Sequence, residues 1–222
     1  MTSRAPIKID IWSDIACPWC YIGKRNLERG LAEVAGDDDA PRVEIEYHSF
    51  ELSPDTPVDF AGSSAEYLAE RRGISLDEAR AMNDRVSRIA ADAGLHYRFD
   101  LQQHTNTVKA HELIHFAKAN GRQLEMKERL LSAYFVEGRH VGRIDELVVL
   151  AEEVGLDPAA AREALEAGTY LDAVRADQAQ ARAYGINGVP FFVIDGRYGV
   201  SGAQPPEAFA QVARQVWAEK DA

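Results

Sequence analysis

The sequence predicts an α/β fold in which one small sheet, built from both ends of the chain, is interrupted by a helical insertion. Three observations predict this fold. The beginning of the chain has a β-α-β pattern, the end has a β-β-α pattern, and the long middle part is rich in helix formers and poor in strand formers. We therefore expect one domain from residues 1–60 plus 186–222 and an all-α insertion domain from residues 61–185.

The opening β-α-β unit is defined by its apolar spacing. Residues 8–13 alternate between polar and apolar side chains, as do residues 43–50, and each run predicts a strand. Between them, apolar residues recur at helical spacing, namely Tyr21, Ile22, Leu27, Leu31 and Val34. Pro18 suits the first position of this helix, because a backbone N–H there would have no partner within the helix. The Cys17-Pro18-Trp19-Cys20 motif therefore lies where a strand ends and a helix begins.

The middle of the chain, residues 63–184, is rich in Ala, Glu, Arg and Leu and predicts five to seven helices. Two helix starts carry a capping box, Ser63 with Glu66 and Ser75 with Glu78, in which each side chain bonds the other residue's backbone N–H. Further helix starts are expected at two places, Asn106 and Asp157-Pro158.

Strand character returns near the end of the chain. Residues 189–194 predict a strand, Asp195-Gly196 predicts a hairpin turn, and residues 198–201 predict the partner strand. A last helix is expected from about Pro206 to Trp217. The two strands would complete the sheet that the first part of the chain begins.

Composition excludes several classes of protein. The chain has 222 residues, 46% hydrophobic and 27% charged, which is typical of a globular protein. A net charge of −11 leaves no basic stripe for nucleic acid. No run approaches the ~18 apolar residues of a membrane span. No apolar segment precedes the first predicted strand, so we expect no secretory signal and a cytoplasmic location.

Cys17 and Cys20 are the only cysteines, and their C-x-x-C spacing is typical of thiol–disulfide exchange. That reaction needs a thiolate that attacks a disulfide and a second thiol that resolves the mixed disulfide. We expect Cys17 to attack, because the helix start should lower its pKa from ~8.5 to between ~3.5 and ~7.5. Cys20, one turn further on, is expected to resolve. A zinc site at this pair would need additional ligands, which no nearby motif supplies.

Gly188-Val189-Pro190 is the second candidate element. A proline within a strand is unusual, because it removes a hydrogen-bond donor from the ladder. Two explanations stay open: a cis Val189–Pro190 peptide bond, or a trans proline at the first residue of the strand. Trp19, between the cysteines, is expected to point outward, either as part of a substrate-contact surface or as a simply exposed side chain.

These motifs carry a family resemblance. The Cys17–Cys20 motif with Tyr21-Ile22-Gly23-Lys24, then Gly188-Val189-Pro190-Phe191-Phe192 and Val200-Ser201-Gly202-Ala203-Gln204-Pro205, resemble the DsbA superfamily. More narrowly, the chain is similar to FrnE-like cytosolic thiol-disulfide oxidoreductases, which are related to 2-hydroxychromene-2-carboxylate isomerases and kappa-class glutathione transferases. The resemblance covers nearly the whole chain. It implies a thioredoxin fold with an inserted all-α domain.

The resemblance also implies site residues and partners. Pro190 would be cis and lie against the cysteines, and the Val189 backbone would pair with a substrate peptide. With Pro18 and Trp19, these residues form the expected substrate-binding set. Protein or small-molecule disulfides and thiols would be the partners, no cofactor is built in, and glutathione is a candidate co-substrate. The isomerase and kappa branches have serine at the first catalytic position, so Cys17 favours disulfide chemistry.

Three alternatives differ in class. One is a glutathione-dependent isomerase or transferase on the same fold. A second is a binding or chaperone module that uses the groove without redox turnover. The third is a zinc metalloprotease, since His111-Glu112-Leu113-Ile114-His115 matches H-E-x-x-H, with Glu137 as a third ligand. The ordinary explanation of that motif is a helix with two histidines near the edge of its apolar face, and the protease would leave the C-P-W-C and Val-Pro features unexplained.

Overall fold

A computed structural model describes residues 4–220, so the outermost residues of the predicted sheet-forming domain lie outside the described part. The sheet-forming parts of the chain contain six elements: β1 (Ile7–Ser13), α1 (Pro18–Val34), β2 (Val43–Ser49), β3 (Phe191–Ile194), β4 (Tyr198–Ser201) and α9 (Pro206–Glu219). Between β2 and β3 lie seven helices: α2 (Ser64–Arg72), α3 (Leu76–Asp92), α4 (Val108–Ala119), α5 (Gln123–Phe135), α6 (Ile144–Glu153), α7 (Pro158–Ala167) and α8 (Leu171–Ala183). The predicted architecture, a thioredoxin-like α/β fold with a helical insertion, is confirmed.

The four strands form one mixed sheet in the order β2-β1-β3-β4. β1 pairs with β2 in parallel and with β3 antiparallel, so that Ile11 lies opposite both Tyr47 and Phe192. The hairpin between β3 and β4 turns at Asp195 and Gly196, which both have positive φ, as the Asp-Gly signal predicts. β1 therefore occupies the centre of the sheet and leads directly into the cysteine motif.

Helices α1 and α9 pack against each other beside this sheet. Their contact is close because Gly30 has no side chain: a Cβ there would lie 2.4 Å from the carbonyl oxygen of Pro206. Under them, the apolar side chains of β1 and β3 pack against Leu27 and Phe209. This packing holds the start of α1, and with it the cysteines, at one end of β1.

The helices of the insertion share a larger apolar core that also includes Tyr21 and Ile22 of α1. Both predicted capping boxes are present, at Ser63 and at Ser75, and Asp157 caps α7. The start of α4 differs from the prediction: Asn106 bonds the Val108 N–H through its side chain, but the cap residue is Thr107. None of the helices in the described residues has the length and apolar character needed to cross a bilayer.

Helix α5 joins the insertion to the edge of the sheet. The Gln123 side chain accepts a hydrogen bond from the Tyr47 N–H (3.0 Å) and donates one to the Tyr47 carbonyl (2.9 Å). Gln123 thus satisfies the backbone of an edge strand that would otherwise lack a neighbour. This pairing fixes α5 against β2.

Candidate active site

The cysteine pair lies at the start of α1. Cys17 is the cap residue, with extended backbone (φ −91°, ψ 112°), and Pro18 is the first helical residue, as predicted. The Cys20 N–H donates to the Cys17 carbonyl at 3.0 Å, which closes the first turn. Both cysteines are free thiols, and both are buried, with 3% and 2% of their surface exposed.

The Val189–Pro190 peptide is cis, as one of the two open explanations predicted. The Cys17 thiol donates a hydrogen bond to the Val189 carbonyl oxygen at 3.4 Å, so this segment lies directly against the first cysteine. A Cβ on Gly23 would come within 2.9 Å of Pro190 Cγ, and only glycine lets α1 approach the proline this closely. The strand begins at Phe191, so the expectation that it starts at Val189 is wrong by two residues.

The ionisation of the pair differs from the expectation. The pKa of Cys17 lies well above its usual value because its thiol interacts with the neighbouring Cys20, because it is buried, and because charge on Cys20 opposes a second anion. Burial also raises the pKa of Cys20, but the hydrogen bond from Cys17 and the positive charge of Lys127 outweigh it and lower that pKa. The prediction of a lowered Cys17 pKa is therefore wrong for the reduced pair. Of the two thiols, Cys20 is therefore the more readily ionised.

A cleft of about 410 Å³ opens beside Cys17. It is bounded by the start of α1, by Gly188 and Val189, and by side chains of the helical insertion. Trp19 and Leu52, which are 40% and 41% exposed, line it. Trp19 therefore points outward, as predicted. Of the motif, Cys17, Pro18 and Trp19 line this cleft.

Two buried polar side chains of the cleft have atoms without a protein partner. Gln102 Nε2 and His104 Nε2 make no hydrogen bond to any described residue, although the residues are only 8% and 7% exposed. His104 Nδ1 bonds the Tyr134 hydroxyl at 3.0 Å, and its ring stacks on Tyr67. Because buried polar atoms normally have partners, these atoms are available to a polar ligand in the cleft. Sequence analysis did not single out either residue for the site.

Asp14 forms the floor of the site and is buried. Its carboxylate accepts hydrogen bonds from the Leu52 N–H (2.8 Å), the Thr107 hydroxyl (2.9 Å) and His111 Nε2 (3.2 Å). Burial raises the pKa of Asp14, but the hydrogen bond and charge of His111, with the two other donors, bring it below its usual value. Asp14 thus joins the motif to α4. Its charge also opposes ionisation of Cys17, one of the two roles the sequence left open.

The placement of the H-E-x-x-H residues does not support the zinc-protease hypothesis. His111 faces Asp14, whereas His115 Nε2 faces Asp177 (3.0 Å) and the Ser49 hydroxyl (3.1 Å). Glu137 pairs with Arg129 and Ser132 on another helix. Within residues 4–220, the only group of three potential metal ligands is Asp10, Glu46 and His48, which contains none of these side chains. The two histidines pair with different carboxylates, the buried Asp14 and the partly buried Asp177, so the motif is a structural one.

Comparison with known proteins defines the class. The family model for a DSBA-like thioredoxin domain matches residues 8–213, and the chain belongs to this family. A curated relative, the uncharacterized protein YwbO of Bacillus subtilis (strain 168), is 34% identical over 210 residues, which are 91% of this chain and 94% of YwbO. The DsbA-superfamily membership that the motifs predicted is confirmed.

Solved structures agree with this assignment. The probable DsbA oxidoreductase SCO1869 from Streptomyces coelicolor is 41% identical, with a TM-score of 0.88, over 96% of this chain and 91% of that chain. The cytosolic disulfide reductase DsbM from Pseudomonas aeruginosa is 21% identical (TM-score 0.67, 96% and 99% covered) and has also been solved with GSH. A 2-hydroxychromene-2-carboxylate isomerase is 16% identical (TM-score 0.71, 96% and 98% covered). The last two share the fold.

Proposed function

We propose that the protein is a thiol–disulfide oxidoreductase in which Cys17 attacks a substrate disulfide and Cys20 resolves the mixed disulfide. One observation carries the proposal: two free thiols lie at the start of α1, with the first bonded to the Val189 carbonyl beside the cleft. This point combines a helix start, a resolving thiol one turn away and a concave surface. Those are the parts that thiol–disulfide exchange requires.

The first step needs no external base. The Cys20 sulfur ionises more readily than Cys17, so once ionised it can accept the Cys17 proton as the substrate arrives, which produces a Cys17 thiolate. The N–H groups at the start of α1 and the positive end of its dipole then face this anion. Cys17 Sγ attacks one sulfur of the substrate, and the other sulfur leaves as a thiolate. The product is a mixed disulfide at Cys17.

The second step returns charge to Cys20. The Cys20 thiol gives its proton to the substrate thiolate released in the first step. Its own thiolate then attacks Cys17 Sγ, the bond from Cys17 to the substrate breaks, and that substrate sulfur leaves with the electron pair. Two electrons have passed from the cysteine pair to the substrate, which is now fully reduced. The same steps in reverse oxidise a dithiol.

We assign the cleft to small or extended disulfides and thiols, with glutathione as co-substrate. Pro18, Trp19 and Val189 line the cleft beside Cys17, and Pro190 follows Val189 through the cis peptide bond and lies against Gly23 of α1. The free polar atoms of Gln102 and His104 suit an amide-containing ligand such as a peptide. That DsbM has been solved with GSH supports this choice of ligand, and its description as cytosolic supports a cytoplasmic site of action.

The predicted domain division belongs to this proposal. Residues 1–60 with 186–222 would form the redox domain, which supplies the cysteines and the Val189–Pro190 segment. Residues 61–185 would form the domain that covers the cleft and selects the substrate, since Tyr67, Val86 and His104 line the side opposite Cys17.

The decisive experiment compares the wild type with Cys17→Ser and Cys20→Ser. With oxidised glutathione as substrate, Cys17→Ser should form no adduct and reduce nothing, because the attacking sulfur is gone. Cys20→Ser should accumulate a stable glutathione adduct at Cys17, visible by intact-protein mass spectrometry, because the resolving thiol is missing. Full reductase activity in Cys17→Ser would refute the proposal. An isomerase or transferase would instead act on an electrophile with glutathione and keep that activity in Cys20→Ser.

A further inference from the structure

A histidine between two carboxylates joins the sheet to α8. His48, on β2, has its Nδ1 at 3.0 Å from Asp177 of α8 and its Nε2 at 2.8 Å from Asp10 of β1. The three side chains are only 10%, 12% and 15% exposed. An ionised carboxylate accepts hydrogen bonds and cannot donate them, so both ring nitrogens must carry a proton to bond both partners. In this arrangement His48 is an imidazolium, since a neutral ring would turn one lone pair towards a carboxylate.

Contacts on the other sides hold the His48 ring and Asp177 together. The ring stacks on Trp12, its partner across the β1–β2 pair, with 4.5 Å between the ring centroids and 18° between the planes. A cation over the face of a tryptophan is favourable. Trp12 Nε1 donates to the backbone carbonyl of Asp177 at 3.1 Å. The Asp177 carboxylate also accepts from the Ser49 N–H (2.7 Å) and faces His115 Nε2 of α4 (3.0 Å). Asp177 is thus where α8 is fastened to the sheet.

The other charged groups near His48, within the described residues, are Glu46 on β2, Lys8 on β1 and Lys118 on α4. Glu46 lies 3.8 Å from His48 Nε2 and pairs with both lysines. Lys8 also pairs with Asp10 at 3.0 Å. Burial lowers the pKa of His48, but the hydrogen bonds and charges of the surrounding carboxylates outweigh it and hold that pKa above its usual value of 6.5.

The contacts of His48 continue to the segment that meets Cys17. Trp12 shares an apolar cluster with Ala181 of α8 and with Ile186, and Val189 packs against this cluster. The Val189 carbonyl accepts the hydrogen bond of the Cys17 thiol at 3.4 Å. The end of α8, the residues after it and Val189 therefore rest on the tryptophan that His48 covers.

We propose that His48 is a positioning residue for the redox reaction: its imidazolium fastens α8 to the sheet and thereby holds the Val189 carbonyl against Cys17. The inference rests on the proposed function, because it names the group that keeps the substrate-binding segment in place. When the ring loses a proton, one carboxylate loses its donor and the fastening weakens. A group whose pKa is raised by folding stabilises fully below its ordinary pKa, here 6.5, and this stabilisation is lost as the pH rises through the higher folded value.

His48→Gln tests the proposal, because glutamine keeps a polar side chain with an N–H donor but carries no charge. Two reactions of Cys17 are compared in each protein: mixed-disulfide formation with oxidised glutathione, which needs the Val189 segment, and alkylation by iodoacetamide, which does not. The ratio of the two rates removes the ionisation of Cys17 itself. Since one pKa unit corresponds to a tenfold change in an equilibrium, we expect this ratio to be about tenfold lower in the variant at about pH 6. The two proteins should converge at alkaline pH, once His48 of the wild type is neutral.

Hydrogen exchange of the α8 amides measures the fastening directly and needs no redox activity. Protection of α8 should be about tenfold lower in His48→Gln at about pH 6 and should converge with the wild type at the same alkaline pH. The control is His140→Gln, at another buried histidine, whose polar contacts are Asp59 (3.4 Å) and the Gly142 N–H (3.3 Å). It should leave the rate ratio and the protection of α8 unchanged. A His48→Gln defect of equal size at every pH would mean a role independent of charge and would overturn the proposal.

Failure of this inference and failure of the proposed function give different results. If Cys17→Ser retains activity, the proposed function fails, whatever happens in α8. If His48→Gln changes the protection of α8 but not the rate ratio, the imidazolium does not position the carbonyl, and only the inference fails. Should the variant not fold, NMR of the wild type decides. The carbonyl carbon of Val189 should titrate with the same midpoint as the His48 ring, and a carbonyl signal that does not follow the ring refutes the proposal.

Discussion

His104 should make the stability of this protein strongly dependent on acid, and the size of the effect follows from its surroundings. The imidazole is buried beside Tyr67 and Tyr134, and burial lowers its pKa from 6.5 to about 4. The folded state therefore resists protonation, whereas the unfolded chain takes up a proton from about pH 6.5 downward. Stability is lost as the pH falls through this window, and the loss due to His104 ends near pH 4, where the folded state is protonated too.

The expected loss from His104 alone is about 2 kcal/mol between about pH 7 and about pH 5, from the two pKa values and linkage. Urea unfolding of wild type and His104→Asn at both pH values measures it. Between the higher and the lower pH, the wild type should lose more unfolding free energy than His104→Asn, and the excess loss should be about this amount. The contributions of the other titrating groups are the same in both proteins and cancel. His96→Asn, at an exposed histidine, is the control. Equal pH dependence in wild type and His104→Asn would refute the reasoning.

Two other substitutions probe the frame of the site. Asp14→Asn should lower the free energy of unfolding in urea by about 3 kcal/mol, because it leaves His111 and the Leu52 N–H facing a neutral amide in the interior. Asp38→Asn, at an exposed aspartate, is the control and should cost little. Equal costs in the two variants would contradict this role of Asp14. Gly30→Ala should cost about 1–3 kcal/mol by forcing α1 away from the Pro206 carbonyl. Gly36→Ala, whose Cβ meets nothing closer than 3.8 Å, is its control, and a Gly30→Ala protein as stable as that control would show that α1 and α9 adjust freely.

Local signals in the sequence predicted most of the fold. Capping boxes, the proline that opens α1 and the Asp-Gly turn each depend on a few neighbouring residues, so they can be identified without knowing the tertiary structure. The β-α-β and β-β-α patterns at the two ends predicted the four strands, whereas their order in the sheet is known only from the structure. The cysteine motif and Pro190 were also identified, because their chemistry is encoded in contiguous residues.

The parts that the sequence did not predict depend on contacts across the chain. Lys127 lies in a segment that looks like an ordinary charged helix, and nothing local indicates that its amine is buried. The pKa of Cys17 was predicted from the helix start alone, but burial, Cys20 and Asp14 act on it together and reverse the result. Likewise, the pairing of His111 with Asp14 is a contact between residues 97 apart in sequence. Electrostatics in an interior depends on which groups share it, and this requires the fold.

The bond between Cys17 and the Val189 carbonyl joins residues 172 positions apart. During translation the cysteines are therefore made 172 residues before the carbonyl that accepts the Cys17 hydrogen bond. Throughout that interval the two thiols have neither this carbonyl nor the cleft that frames them. On the proposed function, controlled exchange begins only after the segment around Val189 has been made and has folded, and any product that terminates before it would carry the thiols without the surface that selects their substrate.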